Sequence, residues 1–310
     1  MKRALVTGGA GFIGSNVVDY LIKKRIKVRV YDNLSSGYLK NIEDKDIEFI
    51  HDDILNQDAL FKACKGIDAV FHLAASVGRQ RSIDHPQLDS EVNILGTINL
   101  LEGMRKHSVR KIIYSSSAAI FGELATDTIR EDHPQNADSP YGVSKLAAEK
   151  MIMTYGNVYG IIGICLRYFN IYGVNQRYDV YGNVIPIFAH KIFNNEPLTI
   201  YGDGEQTRDF VNVKDVAVAN YISAIKCSKT ALFNLGSGSS ISINNLAKRM
   251  LEISGRVVDI KYEPERTADV KHCKADNHLV KQAIGFIPKI QLDEGLSEYI
   301  QWYKNNEVRK

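Results

Sequence analysis

The apolar positions of this 310-residue chain fall into two alternating rhythms over its first half. Lys2 to Thr7 is a short apolar run with a β-branched centre, read as a strand, and the glycine-dense turn Gly8 to Gly14 follows at once. From Ile13 the apolar residues Val17, Val18 and Leu21 recur at spacings of three and four, the helical period. Five more β-type runs lie at Ile26 to Tyr31, Ile47 to Ile50, Asp68 to Leu73, Val109 to Tyr114 and Tyr159 to Tyr168. Helices are expected from Asn56 or Gln57 through Cys64, from about Leu88 to His107, and from Pro140 through Tyr155. The last has Ser139 as N-cap, Pro140 at its first position and Gly156 as a natural stop. Three polar stretches read as loops: Asn33 to Asp46, with one short helical turn, Val77 to Pro86, and Gly122 to Asp138. Structureless connections as long as the third are usually functional.

Strand and helix in alternation predict an α/β fold built on a doubly wound parallel sheet. Beyond Asn170 the rhythm loosens into short elements and turns. Helices are still expected over Asn212 to Lys226, Ile243 to Ser254 and Gln291 to Asn305, with a strand at Phe233 to Leu235. The expected division is a main unit over 1–170, to which 211–235 returns, and a smaller mixed α/β lobe made mainly of 171–310.

Composition narrows the function classes. Net charge is +3, with 45% apolar and 24% charged residues, ordinary for a soluble enzyme and too neutral for a nucleic-acid or membrane-surface protein. The four cysteines, Cys64, Cys165, Cys227 and Cys273, form no CxxC pair or zinc spacing, so reduced thiols and no metal site are expected. No run is long enough to span a bilayer, and the first strand begins without a signal peptide before it, which points to the cytoplasm.

Strand, glycine turn and helix in that order match the Rossmann-type dinucleotide fingerprint. Gly9 is expected to permit the sharp turn, Gly11 to let the backbone approach a pyrophosphate, and Gly14 to let the helix pack closely. Asp32, at the end of the second strand, stands where a carboxylate would bond an adenosine ribose, and its charge favours NAD over NADP. Asp53 has two readings, an acceptor for the adenine amino group or a capping residue. His72 lies in an apolar run and reads as a packed, hydrogen-bonded histidine. Tyr141 and Lys145 are four apart on one helix face. An unperturbed phenol, with a pKa near ~10, is a poor base at neutral pH. A neighbouring ammonium and a cationic nicotinamide would both stabilise the phenolate, and Ser117 at the preceding strand end could share the substrate proton. Hydride abstraction from an alcohol carbon is the reaction this set suits.

The segments TGGAGFIGS, Asp32-Asn33, Leu73-Ala74-Ala75, Ser115 to Ser117 and YGVSK together resemble the extended short-chain dehydrogenase/reductase family over essentially the whole chain. RYFNIYG at 167–173, GDGEQTRDFVNVKDV at 202–216 and Arg266-Thr267-Ala268-Asp269 resemble its NAD-dependent epimerase/dehydratase branch, and within it the UDP-hexose 4-epimerases. The resemblance implies that Tyr141 is the base at the C4 hydroxyl, that Lys145 lowers its pKa and binds ribose, and that Ser117 bonds the same oxygen. It places Gly8, Gly11, Phe12, Ile13, Asp32, Asn33, Asp53, Ile54, Leu73, Ala74, Ala75, Asn93, Ser115 and Tyr168 around NAD. Asn170 would hold substrate phosphate or sugar; Asn183, Val184, Arg208, Arg266 and Asp269 would hold the UDP portion. Cys273 would stand at the pocket wall, small enough to leave room for an acetamido group.

Redox-neutral 4-epimerisation of UDP-glucose and UDP-galactose, with the N-acetylated pair also accepted, is therefore the expected activity. Ser116-Ser117-Ala118-Ala119 lacks the Asp-Glu pair of related dehydratases, which disfavours water elimination. Arg79 and Arg81 keep a uronic acid substrate open. A silent dinucleotide-binding scaffold is the remote alternative, opposed by the presence of all three reactive side chains. A homodimer formed by the helices at Leu88–His107 and Pro140–Tyr155 is implied as well.

Overall fold

Strands with no polar face need cover on both sides, and β1 (Arg3–Thr7) is buried from its second residue onward. The computed structural model describes residues 1–122, 124, 126–180, 182–265 and 271–308. After β1 come α1 (Phe12–Lys23), β2 (Lys27–Asp32), β3 (Ile47–His51), α2 (Gln57–Ala63), β4 (Ala69–His72), α3 (Arg79–Asp84), α4 (Pro86–Ser90), α5 (Gly96–Lys106) and β5 (Lys111–Ser117). A two-residue β6 (Thr128–Ile129), α6 (Pro140–Tyr159), β7 (Ile162–Tyr168) and β8 (Asn170–Tyr172) follow. The remainder is α7 (Val184–Phe193), β9 (Leu198–Tyr201), β10 (Thr207–Arg208), β11 (Phe210–Asn212), α8 (Val213–Lys226), β12 (Ala231–Leu235) and β13 (Ile241–Ser242). Then come α9 (Ile243–Ser254), β14 (Ile260–Glu263), β15 (Lys274–Ala275), α10 (His278–Ile284) and α11 (Leu292–Asn306).

Seven strands form one parallel sheet in the order β12-β7-β5-β4-β1-β2-β3. The chain runs outward through β2 and β3, returns to lay β4 beside β1, and continues the other way. Strand order therefore reverses between β1 and β4, and a crevice opens beyond their carboxyl ends. This is the expected Rossmann-type, doubly wound α/β fold.

Alternate residues of β1 feed two cores. Ala4 and Val6 join Val17, Val18 and Leu21 of α1 and Val216 and Ala217 of α8. Leu5 joins Leu60, Leu100, Leu101, Met104 and Ile152 on the opposite face. A third core, with Ile185, Phe188, Leu246, Met250, Leu296 and Tyr299, holds α7, α9 and α11 together. The region 211–235 returns to the sheet: β12 pairs with β7, and α8 packs beside α1.

Several elements differ from expectation for identifiable reasons. α6 runs to Tyr159, and Gly156 lies inside it. A Cβ at Gly156 would stand 2.8 Å from Thr230 Oγ1, so that glycine serves close packing, while Gly160, at φ 67°, makes the left-handed stop. The stretch expected as a polar loop contains α3, whose Ser82 hydroxyl donates to Arg79 O. The expected long helix from Leu88 begins earlier, at Pro86, and passes through a π-helical turn at Glu91–Leu95. α7 was not anticipated in the loosened second half; it buries Ile185, Phe188, Ala189 and Ile192, one face of the helix.

Candidate active site

The glycine turn is held by contacts that tolerate no side chain. Gly8, at φ 69°, makes the sharp turn that sequence reading gave to Gly9. A Cβ on Gly8 would lie 2.6 Å from Ala74 N; one on Gly9 would strike Val30 Cγ1 at 2.7 Å. At Gly14 it would stand 2.0 Å from Gly8 O, so this glycine lets α1 pack on the turn itself. α1 starts at Phe12 and Ile13 behind Gly11, with no side-chain cap and no acidic residue in its first turn. Its positive end is thus available to an anion, and the cradle fits the pyrophosphate of a dinucleotide.

Asp32 Oδ2 accepts from Ala10 N at 2.9 Å and Oδ1 from Leu34 N at 2.8 Å, tying the glycine turn to the loop beyond β2. Burial raises its carboxyl above the usual range. Asn33 Nδ2 donates to Asp53 Oδ2 at 2.7 Å, and Leu55 N to Asp53 Oδ1 at 2.9 Å. Asp53 therefore orders its own turn, while Asn56 caps α2. Ile54 is buried, filling the space left by Gly96. Across the crevice, Leu73 N donates to Thr7 O, Ala74 N to Thr7 Oγ1, and Ala75 continues the small-residue edge.

His72 sits beneath that edge, 2.7 Å from Thr7 Oγ1 and 2.9 Å from Thr97 Oγ1. Burial, helped by the Lys145 charge, pulls its pKa down to about 3, so it is a neutral, satisfied core residue. Ser115 Oγ donates to His72 O, linking β5 to β4. Asn93, in the π-helical turn, accepts from Ser76 N, and its Nδ2, with two hydrogens to give, lies 3.0 Å from each of Ser76 O, Asp89 Oδ1 and Ser144 Oγ.

Ser117 ends β5, and Tyr141 opens α6 with its N–H donating to Ser82 Oγ at 3.0 Å. Burial pushes the Tyr141 phenol up to about 12; a hydrogen bond with Ser117 acts downward, and Asp89 adds to the rise. Lys145 is buried with Nζ 4.4 Å from the Tyr114 ring centre. Burial lowers its pKa to about 7, with the Asp89 charge opposing. The strand-end serine thus bonds the phenol, and the amine is buried one turn further along the same helix. An arrangement of this kind can pass a proton between a substrate hydroxyl and the phenol. Tyr168 is placed apart: its hydroxyl bonds Asn220 inside the core and is not presented to the cleft.

On the substrate side, Asn170 Nδ2 donates to Asp209 O at 3.3 Å. Asn183 is the N-cap of α7 with no side-chain bond to the helix, and Val184 is its first residue. Arg208 donates to Thr207 O, and its charge lowers the neighbouring Cys273 thiol, which burial drives up to about 11. Cys273 packs against the cluster of Ile120, Phe121, Ile129, Phe169 and Ala275, against which Ala118 and Leu146 also pack. Arg266 and Asp269 lie outside the described residues. Arg79 and Arg81 are paired with Asp138 and Asp179.

Sequence reading missed the supports. Glu149 accepts from Ser116 Oγ and from Arg167, and Asp89 is buried on α4, which packs against α6. The i, i+4, i+8 spacing of Tyr141, Lys145 and Glu149 was the available signal for the first; nothing local marks the second.

The model of the NAD dependent epimerase/dehydratase family matches residues 4–236. A protein of Methanocaldococcus jannaschii, provisionally named a UDP-glucose 4-epimerase, is 41% identical, covering 97% of this chain and 98% of its own. The UDP-N-acetylglucosamine 4-epimerase of Methanobrevibacter ruminantium M1, solved with UDP-N-acetylmuramic acid, superposes with a TM-score of 0.94 at 36% identity over 98% of both chains. The UDP-glucose 4-epimerase of Thermotoga maritima, solved with UDP-glucose, gives 0.93 at 36% identity over 98% of this chain and 99% of that one. With the cradle and the Ser117, Tyr141 and Lys145 group already in place, the chain belongs to the NAD-dependent epimerase/dehydratase family.

Proposed function

We propose that this chain is an NAD-dependent UDP-hexose 4-epimerase, interconverting UDP-glucose and UDP-galactose and accepting their N-acetylated counterparts. The observation that carries the reading is the Ser117–Tyr141 hydrogen bond, one helical turn before the buried Lys145, in a chain whose glycine turn opens an uncapped helix. Gly8, Gly11, Phe12, Ile13, Asp32, Asn33 and Asp53 hold the dinucleotide, with Leu73 to Ala75, Asn93 and Ser115 along its other side. When bound, NAD supplies the acceptor for the C4 hydrogen of the sugar and gives it back. Tyr141 takes the C4 hydroxyl proton, leaving a 4-keto sugar, and returns the proton to the opposite face product. Ser117 steadies that oxygen, and the Lys145 ammonium together with the cationic nicotinamide of bound NAD would stabilise the phenolate. Asn170, Asn183, Val184, Arg208, Arg266 and Asp269 grip the UDP portion so that the hexose is free to turn. Guanidinium groups suit a diphosphate because they stay charged and match its oxygens in a plane.

Cys273, in the same apolar cluster as Ala118 and Leu146, leaves room where a tyrosine would crowd an acetamido group. The ion pairs of Arg79 and Arg81 favour an uncharged hexose over a uronate. The unit 1–170 with 211–235 serves the dinucleotide, and 171–310 mainly serves the nucleotide sugar. Leu88, Leu95, Val143 and Val158, exposed on α4 to α6 and the π-helical turn, support a homodimer closed by these helices. Among the described residues no helix is long and apolar enough to cross a membrane, and we place the enzyme in the cytoplasm.

The test is a panel of UDP-glucose, UDP-galactose, UDP-GlcNAc, UDP-GalNAc and UDP-glucuronate, each followed for its 4-epimer without added cofactor. Conversion of the hexoses and acetamido sugars, with no net NADH absorbance, is expected. Turnover of the uronate alone would replace the reading with a uronate epimerase.

A further inference from the structure

The side chain of Arg177, in the loop after β8, is only 8% exposed. Its Nε donates to Oε1 of Glu307, just past the end of α11, at 2.9 Å, and its Nη2 donates to Asn41 Oδ1 at 3.1 Å. The third nitrogen, Nη1, is buried with no hydrogen-bond partner among the described residues. The guanidinium carbon lies 4.0 Å from the Tyr38 ring centre and 5.6 Å from that of Trp302, so aromatic faces offset part of that cost. Lys40 Nζ reaches the same Glu307 oxygen at 3.3 Å.

Tyr38, Lys40 and Asn41 all belong to the polar loop that follows Asp32. That loop is fastened to the glycine turn at one atom: Ala10 O accepts from Tyr38 N at 3.0 Å and from Asn41 Nδ2 at 2.8 Å. Ala10 N in turn donates to Asp32 Oδ2. A guanidinium only donates and a carbonyl only accepts, so the Asn41 amide has one orientation and links Arg177 to Ala10. The residues before Arg177 brace α1 as well, with Asn175 Nδ2 donating to Ser15 Oγ and Asn16 Nδ2 to Val174 O.

We propose that Arg177 and Glu307 are positioning residues, a clamp from the C-terminal helix that pins the 33–46 loop on the glycine turn and keeps the dinucleotide from leaving between turnovers. The inference rests on the reading of Gly8 to Gly14 as the dinucleotide cradle. An exposed ion pair would contribute little here, whereas losing the Glu307 carboxylate strands a buried cation. The other ion pair of α11, Asp293 with Arg249 of α9, is exposed on both sides and includes no residue of the loop.

The test follows exchange of bound NAD for isotopically labelled NAD in solution, read by mass after heat release. Glu307→Ala should exchange about tenfold faster than wild type or more. Arg177→Met, which keeps an apolar stem beside Tyr38, should do the same. KM for UDP-glucose should stay unchanged, and activity lost on dilution should return with added NAD. Asp293→Asn, which loosens the other end of α11, should exchange like wild type. Equal acceleration in all three variants, or a lowered Tm with wild-type exchange in Glu307→Ala, would mean helix docking only and overturn the clamp. Independently of turnover, hydrogen exchange at the Tyr38 amide should quicken in Glu307→Ala, and an unchanged rate would also overturn it. A wild-type chain that carries no NAD and binds none would refute the cradle reading, and the clamp with it.

Discussion

Arg167 and Glu149 form an ion pair with no solvent contact at either side chain, Nη2 to Oε1 at 2.7 Å and Nε to Oε2 at 3.1 Å. The pair joins α6 to β7, and Ser116 Oγ, donating to Glu149 Oε2 at 2.7 Å, adds β5. The helix carrying Tyr141 and the strand carrying Ser117 are thereby held in one register. Removing one partner leaves an uncompensated buried charge. Glu149→Ala should cost about 3–5 kcal/mol in urea unfolding, and the apolar double replacement Glu149→Leu/Arg167→Met much less. A single-variant loss below about 1 kcal/mol would show that the pair does not clamp the helix.

Tyr141→Phe deletes only the phenol oxygen at the cleft, so folding and dinucleotide retention should survive. The kcat for UDP-glucose should fall by roughly 10²- to 10⁴-fold, the span of a lost general base. Turnover near wild type, followed by coupled assay of UDP-galactose formed, would assign the proton to another group.

Gly14→Ala puts a methyl group 2.0 Å from where Gly8 O lies, and backbone must move to admit it. We expect the turn to open, with NAD recovered from the heat-denatured protein falling well below one per chain and Tm falling with it. Full NAD content in this variant would contradict the proposed cradle.

Acid should destabilise the fold partly through His72. Its pKa is about 3 in the folded protein against 6.5 as the ordinary value, so the unfolded chain binds the extra proton between those limits. Stability from this group therefore rises as pH climbs from 3 to 6.5, and is lost as pH falls through that window. The contribution is on the order of a few kcal/mol. Melting curves of His72→Gln from pH 7 down to 4 should fall less steeply than wild type; parallel curves would exclude His72 as a source.

Cys273→Tyr should depress turnover of UDP-GlcNAc and UDP-GalNAc more than of the plain hexoses, because Cys273 shares one apolar cluster with Ala118, the residue after Ser117, and with Leu146, the residue after Lys145. Equal losses on both classes, compared as kcat/KM, would remove Cys273 from the specificity wall.

Much of this protein is local and was legible as such. The run into Gly8 to Gly14, the carboxylate at Asp32, the Ser139-Pro140 helix start and the i, i+4 pair Tyr141 and Lys145 each leave their mark within a few residues. Helix and strand periods show which faces are buried because burial repeats at 3.6 or 2 residues along one element. That was enough for strand order to be anticipated as doubly wound.

Contacts between distant segments leave no such period, and the tertiary structure alone decided them. Gly8 rather than Gly9 takes the left-handed turn because Ala74, more than sixty residues on, closes over it. α6 outruns Gly156 because Thr230 needs the space a side chain would fill, and Tyr168 is drawn into the core by Asn220. Cys273 joins the cluster that Ala118 packs against, and Asp89 is buried on α4 where that helix meets α6, only when separate strands and helices are packed. Chemistry carried by one turn of backbone was written in the chain; the charges and walls around it exist only once the layers close.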